Sequence, residues 1–192
     1  YTPEGEITSE DNKKAILGYN HNLDELVKTS VIANEASLNK TEQGWVSNGD
    51  AVDAAILAMG YKYGFNQTEI INNIDTVTEI PYESEIAYSA RFYKDNDKVK
   101  IAVKGAFEVI SPFCTTMIIN GDIVDINREQ LAAQANSLAE LGYRLIAVAS
   151  GYSLEEKNDY NHNDIKSLTF LGFICLIDPL RSESISAIRK CK

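Results

Sequence analysis

IAYSARFYKDNDKVKIAVKG, residues 86–105, is two runs of β-branched and aromatic residues around the polar loop Asp95-Asn96-Asp97. Such side chains fit a pleated surface, and a short Asn/Asp loop between two such runs reverses the chain, so the segment predicts an antiparallel hairpin. VTEIPY (77–82) lies just upstream with the same character. Downstream, FEVISPFCTTMIING (107–121) begins like a short helix, stalls at Pro112 and runs through Asn120-Gly121 into DIVDI (122–126), a second hairpin signal. RLIAVAS (144–150) and the apolar SLTFLGFICLID (167–178) complete the strand-forming part, joined by the polar GYSLEEKNDYNHND (151–164), which is expected to be a surface loop.

Around this sheet stand segments with helical spacing. NLDELVKTSVIANEASLN (22–39) places Leu23, Leu26, Val27 and Ser30 on one face and predicts a helix. GWVSNGD (44–50) reads as a turn. DAVDAAILAMGYKYG (50–64) predicts a second helix, capped by Asp50 and stopped at Gly64, and residues 66–73 a further short one. NREQLAAQANSLAEL (127–141) has Asn127 as cap, Leu131, Ala135, Leu138 and Leu141 on one face, and Gly142 at its end. Helices segregated from clustered antiparallel strands predict an α+β domain, an antiparallel β-sheet with helices packed on it.

The 192 residues match one domain, with globular proportions of 44% hydrophobic and 24% charged residues. No apolar run approaches the roughly 20 residues of a membrane helix, so this chain is expected to be soluble. A formal charge of −10 repels phosphodiester backbones and argues against nucleic acid as a partner, while leaving a small anion possible. Three cysteines without CxxC spacing and only two histidines predict neither a disulfide framework nor a metal site, and fit a reducing cytosol. The opening YTPEGEITSEDNKK has no signal-peptide character and no initiating Met, which suggests an internal segment of a longer protein.

Three stretches in order, GDAVDAAIL (49–57), VKGAFEVI (103–110) and FLGFICLIDPLR (170–181), resemble the nucleotide-binding domain of type II P-type cation-transporting ATPases of the calcium-pump kind. The family's counterparts read approximately GDPTEGALL, VKGAPEVIL and LLGLVGMIDPPR. IPYESEIAYS (80–89) resembles the family's PF-x-S-x-x-K segment, and GYRLIAVA (142–149) its G-x-R-x-L-A-x-A. Together these span nearly the whole chain. The family's phosphorylated Asp in DKTGT, its TGES loop, its GDGxNDxxA segment and its membrane helices have no counterpart in this sequence.

The resemblance implies a cytoplasmic domain of an integral membrane ion translocase. The domain would bind ATP and present its γ-phosphate to an Asp elsewhere in the parent chain, with Mg²⁺ held mostly by residues outside this sequence. Its partners would be the phosphorylation and actuator domains and the membrane helices of that chain, and no catalytic residue would lie here. The nucleotide-binding domain would occupy residues 1–176, with 177–192 a hinge returning to the phosphorylation domain through Asp178, Pro179 and Arg181.

The resemblance also assigns roles to single residues, each with a plainer alternative. Lys104 and Gly105 would line the adenine pocket, the glycine admitting close approach of a flat ligand; the pair is otherwise a strand end before a turn. Tyr82 would stack on adenine, or be a core tyrosine at a strand edge. Asp53 would meet the adenine amino group, or be a solvated acid stabilising a helix N-terminus. Arg144 would steady the phosphates, or form a surface salt bridge. Ala87 stands where the family has a lysine, Ile86 at a usually polar place, and Phe107 and Ala51-Val52 where the family has Pro and Pro-Thr. These departures imply an altered pocket margin and weak phosphate attraction, and their extreme form is a non-catalytic structural or interaction module that has lost nucleotide binding. A stand-alone hydrolase of the haloacid dehalogenase kind lacks its nucleophile motif here.

Overall fold

A computed structural model describes residues 2–177. The proposed hinge residues Asp178, Pro179 and Arg181 lie outside the described residues. The elements run α1 (His21–Ile32), β1 (Ser37–Thr41), β2 (Gly44–Asn48), α2 (Ala51–Tyr63), α3 (Gln67–Asn72), β3 (Asp75–Ile80), β4 (Tyr88–Asp95), β5 (Lys98–Gly105), α4 (Phe107–Ile110), β6 (Cys114–Ile119), β7 (Asp122–Asp125), α5 (Arg128–Glu140), β8 (Arg144–Tyr152) and β9 (Leu168–Leu176). This is the expected α+β arrangement. The hairpin at 86–105 forms as β4 and β5, paired from Tyr88 opposite Gly105 down to Asp95 opposite Lys98. Asn96 takes a left-handed φ of 56° in its tight loop, a conformation asparagine tolerates.

Seven strands make the main sheet in the order β3-β4-β5-β8-β9-β6-β7. All neighbours are antiparallel except β6 and β9, which pair parallel. The expected sheet is thus antiparallel but for that one parallel joint. After the β6-β7 hairpin the chain crosses through α5 and β8 before β9 arrives, and β9, running against β8, is left parallel to β6.

The central strands are covered on both faces, and their side chains alternate between two cores. Phe92, Ile101, Val103, Ala147 and Ala149 join Phe107, Ile110, Leu131 and Ala135 in the larger core, so α4 and α5 close one face. Tyr93 and Ala102 meet Ile32 and Ala33 from the end of α1, while Val148 and Ile174 meet Ile56 of α2, so α1 and α2 close the other. The second helix is apolar around most of its circumference because it is sandwiched. Ile56 faces the sheet, while Leu57 and Ala58 face Val27, Val31 and Leu38. Asp50 caps it through the Val52 amide at 2.8 Å, and Gly64 ends it in the left-handed region at φ 116°, as their residue types predicted.

Three expectations are corrected. The helix read over 22–39 stops at Ile32, because the Asn34 side chain accepts from the Ala36 amide at 2.9 Å and gives the backbone an alternative to another helical turn. The residues beyond become β1, and GWVSN, read as a turn, is its partner strand β2, with Lys40 opposite Trp45. In α5, Leu131 and Ala135 are buried as expected, but Leu141 is exposed beyond the last turn.

The segment 151–164 is more than a surface loop. Tyr160 is buried and stacks on Phe92 with ring centroids 4.7 Å apart. Asp164 closes a capping box with Asn161 and accepts from Lys157 Nζ at 2.5 Å. The Lys157 ammonium, and after it the Asn161 amide, hold the Asp164 carboxyl below the usual carboxylate range. A carboxyl lowered by folding contributes its stability in full above the unfolded pKa and loses it as pH falls through the folded one. The wild-type thermal midpoint should therefore fall more steeply with acid below the ordinary aspartate value of 3.8 than that of Asp164→Asn. Parallel pH profiles would show that this carboxylate contributes nothing.

Candidate functional site

A cavity of about 580 Å³ opens where the N-terminal end of α2, the end of β5, the start of β8 and the β3-β4 loop converge. Its walls include Asp53, Tyr82, Lys104, Gly105 and Arg144, so all five residues singled out for nucleotide contact meet in one space. The volume is within the usual range for a small-molecule site.

The strand alternation explains how Lys104 arrives. It lies two residues beyond Ala102 on the face covered by α1 and α2, so its side chain reaches toward α2 rather than into the larger core. There Nζ meets Asp53 Oδ1 at 2.7 Å, with only 6% of the lysine and 11% of the aspartate side chain exposed. The other carboxylate oxygen, Oδ2, accepts from the Glu35 amide at 3.0 Å, and the Asp53 carbonyl accepts from Asn34 Nδ2 at 3.0 Å. Asp53 is therefore not the solvated first-turn acid of the plainer reading. It is a buried anion whose two oxygens are both engaged, and it pins the turn after α1 to the first turn of α2.

Gly105 has a structural reason to be glycine. A Cβ there would lie 2.5 Å from the Ala87 carbonyl oxygen and from Tyr88 Cβ. The close approach is to the neighbouring strand, and it leaves the outer side of residue 105 as cavity wall. Ala87 also lines the cavity, in a left-handed conformation of φ 54°, and its carbonyl accepts from the Ala106 amide at 2.9 Å. Tyr82 is 52% exposed and belongs to no buried cluster, so it is not the core tyrosine of the plainer reading. Arg144, exposed at the start of β8, is in no ion pair among the described residues.

Two of the departures have consequences different from those expected. Phe107 is buried in the larger core, edge-on to Phe170 and Phe173, and does not touch the cavity margin. Ile86 packs half-buried against the same core. Of the residues at the altered margin, Val52 and Ala87 line the cavity.

Glu35 and Asp50 also line the cavity, which adds two carboxylates to Asp53 against the cations Lys104 and Arg144. The positive end of the α2 dipole offsets part of that excess. Glu35 is not legible as a site residue because the helix read over 22–39 runs past it. Asn34, a residue that favours turns, was the available signal that the helix ended before it. Among the described residues no group of three or more His, Cys, Asp or Glu side chains is placed to hold a metal ion. None of the described helices is long and apolar enough to cross a membrane.

The family model described as P-type ATPase, cytoplasmic domain N, matches residues 22–183. The chain belongs to that family. The N domain described above is 31% identical, over its whole length, to the cation-transporting ATPase pma1 of Synechocystis, covering 22% of that protein. It is 30% identical to the sodium/potassium exporting P-type ATPase cta3 of Schizosaccharomyces pombe, over 86% of this chain and 16% of the relative. With the calcium-transporting ATPase of Bacillus subtilis the identity is 26%, over the whole of this chain and 22% of the relative. The N domain thus spans about a fifth of the length of these relatives.

Proposed function

We propose that this N domain binds ATP in the cavity between Tyr82 and Lys104-Gly105 and serves a cation-transporting P-type ATPase, presenting the γ-phosphate to an Asp outside this sequence. The observation that carries the reading is the convergence of Asp53, Tyr82, Lys104, Gly105 and Arg144, which are distant in sequence, on a single cavity. An exposed aromatic ring beside a desolvated ion pair suits a flat heteroaromatic base with amino and ring-nitrogen groups. Arg144, at the rim and free of an ion pair among the described residues, suits the phosphates. With carboxylates outnumbering cations on the walls, the adenine end supplies most of the affinity and the phosphates little. Reaction in the parent protein is then largely a matter of positioning, with Mg²⁺ held by residues elsewhere in that chain. Asp178, Pro179 and Arg181 would carry the connection back to the phosphorylation domain.

Calcium as the transported ion is supported by the motif resemblance and by relatives named calcium-transporting in Bacillus subtilis and Bacillus cereus. Sodium and potassium are supported in the same way by cta3 and by the human sodium/potassium-transporting ATPase subunit alpha-4. In either case the ion is selected outside this chain.

Titration with ATP and with AMP, followed by amide chemical shifts, tests the binding. At millimolar ligand the amides near Asp53, Tyr82 and Lys104 should move, and AMP should produce much the same pattern as ATP with comparable affinity. Unmoved spectra up to the solubility limit of both nucleotides would favour instead a structural module that has lost nucleotide binding.

A further inference from the structure

We infer that Glu35 is a positioning residue for the base-binding ring, fixing the backbone beneath Tyr82 and tying it to the Asp53-Lys104 pair. The inference rests on the adenine site proposed above and extends it to a residue outside the resembling motifs. Tyr82 is carried by the connection between β3, which ends at Ile80, and β4, which starts at Tyr88. Its side chain is largely exposed and makes no hydrogen bond or ring contact among the described residues, so the ring has no packing of its own to hold it. The tie recorded for this residue is at its backbone, where the Tyr82 amide donates to Glu35 Oε1 at 2.5 Å. A carboxylate acceptor makes that hydrogen bond short and charge-assisted.

Glu35 is itself held at its other end. Its backbone amide donates to Asp53 Oδ2, and Asp53 Oδ1 accepts from Lys104. Lys104, Asp53, Glu35 and Tyr82 thus form one continuous chain of polar contacts around the cavity, linking the end of β5, the first turn of α2, the turn after α1 and the β3-β4 connection. Glu35 also stands on the wall of a second, smaller recess of about 150 Å³, lined by Glu79, Pro81 and the buried Arg91 among others. Glu35 is thus common to the walls of both spaces, and Pro81, the residue before Tyr82, lines the smaller one. Binding a flat ligand requires the ring to stay at one height above the cavity floor, and an anchored backbone supplies that in advance of binding.

The substitution that tests this role is Glu35→Ala, because alanine keeps the backbone amide bonded to Asp53 and removes the carboxylate, which holds Tyr82 and also acts on the buried Arg91; the Tyr82→Ala background separates the two. Simple electrostatics predicts that deleting a negative charge beside a polyanionic ligand tightens binding. Positioning predicts the opposite, an affinity for ATP about three- to tenfold weaker, the size of one hydrogen bond at a part-exposed site. Glu35→Gln, which retains an acceptor oxygen, should recover much of the loss. In a Tyr82→Ala background, Glu35→Ala should have no further effect, since the ring it positions is gone. The measurement is ATP affinity by calorimetry on the 192-residue chain and on these single and double variants, with amide spectra to check that the fold is kept. Unchanged or tighter binding by Glu35→Ala, or an equal loss with and without Tyr82, overturns the positioning role. If Tyr82→Ala also binds as the wild type does, the adenine site itself falls, and the inference with it. If Tyr82→Ala is impaired and Glu35→Ala is not, only the inference falls.

Discussion

Lys104→Ala is expected to lower folding stability by about 3 kcal/mol and to remove ATP binding, the largest effect of any single substitution at the site. The reason is the partner left behind. Asp53 is buried, and after the change it would keep the Glu35 amide but lose its ammonium. Breaking a desolvated pair by deleting one member strands the other charge, which is far more damaging than losing an exposed pair worth about 0–1 kcal/mol. Urea unfolding reads the result as a lower midpoint with an unchanged slope. A loss below about 1 kcal/mol would place the pair in the exposed regime. The double variant Asp53→Asn with Lys104→Met separates folding from binding. With both charges gone, stability should return most of the way to wild type, while nucleotide affinity should stay low because the base has lost both polar contacts.

Tyr82→Ala is expected to weaken ATP and AMP alike by about tenfold, in the range of base-aromatic stacking, while changing stability by less than about 0.5 kcal/mol. The asymmetry follows from exposure. Tyr82 is half exposed and belongs to neither core, so truncating it opens no cavity in either. Tyr82→Phe should bind as the wild type, since the π-face and not the hydroxyl carries the contact. An equal loss in both variants would point to the hydroxyl, and no loss in either would remove Tyr82 from the site. The comparison of ATP with AMP matters because a residue at the base end should not distinguish them, whereas Arg144→Ala should affect ATP more.

Legibility in the sequence followed the range of the interactions. Caps and tight loops act over three or four residues, so Asp50, Gly64, Asn120-Gly121 and the Asp95-Asp97 loop marked their elements correctly. The β4-β5 hairpin, the axis of the fold, was readable for the same reason. The parallel joint between β6 and β9 was not, because nothing local distinguishes a strand that pairs with its predecessor from one inserted between distant strands. The turn at Asn34 was hidden by apolar spacing that continued past it: Val31, Ile32, Ala36 and Leu38 are all buried, but the first two in a helix, Ala36 in the turn and Leu38 in a strand.

The five residues that the motifs single out line one cavity. Their partnerships were not legible. That Lys104 and Asp53 neutralise one another depends on strand parity bringing β5 to the first turn of α2, and Gly105 is glycine because of Tyr88, seventeen residues away in sequence but opposite in the sheet. Phe107 shows the converse error. Its difference from the family motif pointed to the pocket, whereas its side chain turns into the core.

The most direct test of the adenine site is a set of intermolecular nuclear Overhauser effects between the adenine ring protons of bound ATP and the side chains of this chain. Cross-peaks to the Tyr82 ring, with weaker ones to Lys104 and Gly105, are the predicted result. Cross-peaks to residues outside the cavity, or saturating ATP with none to Tyr82, would contradict it.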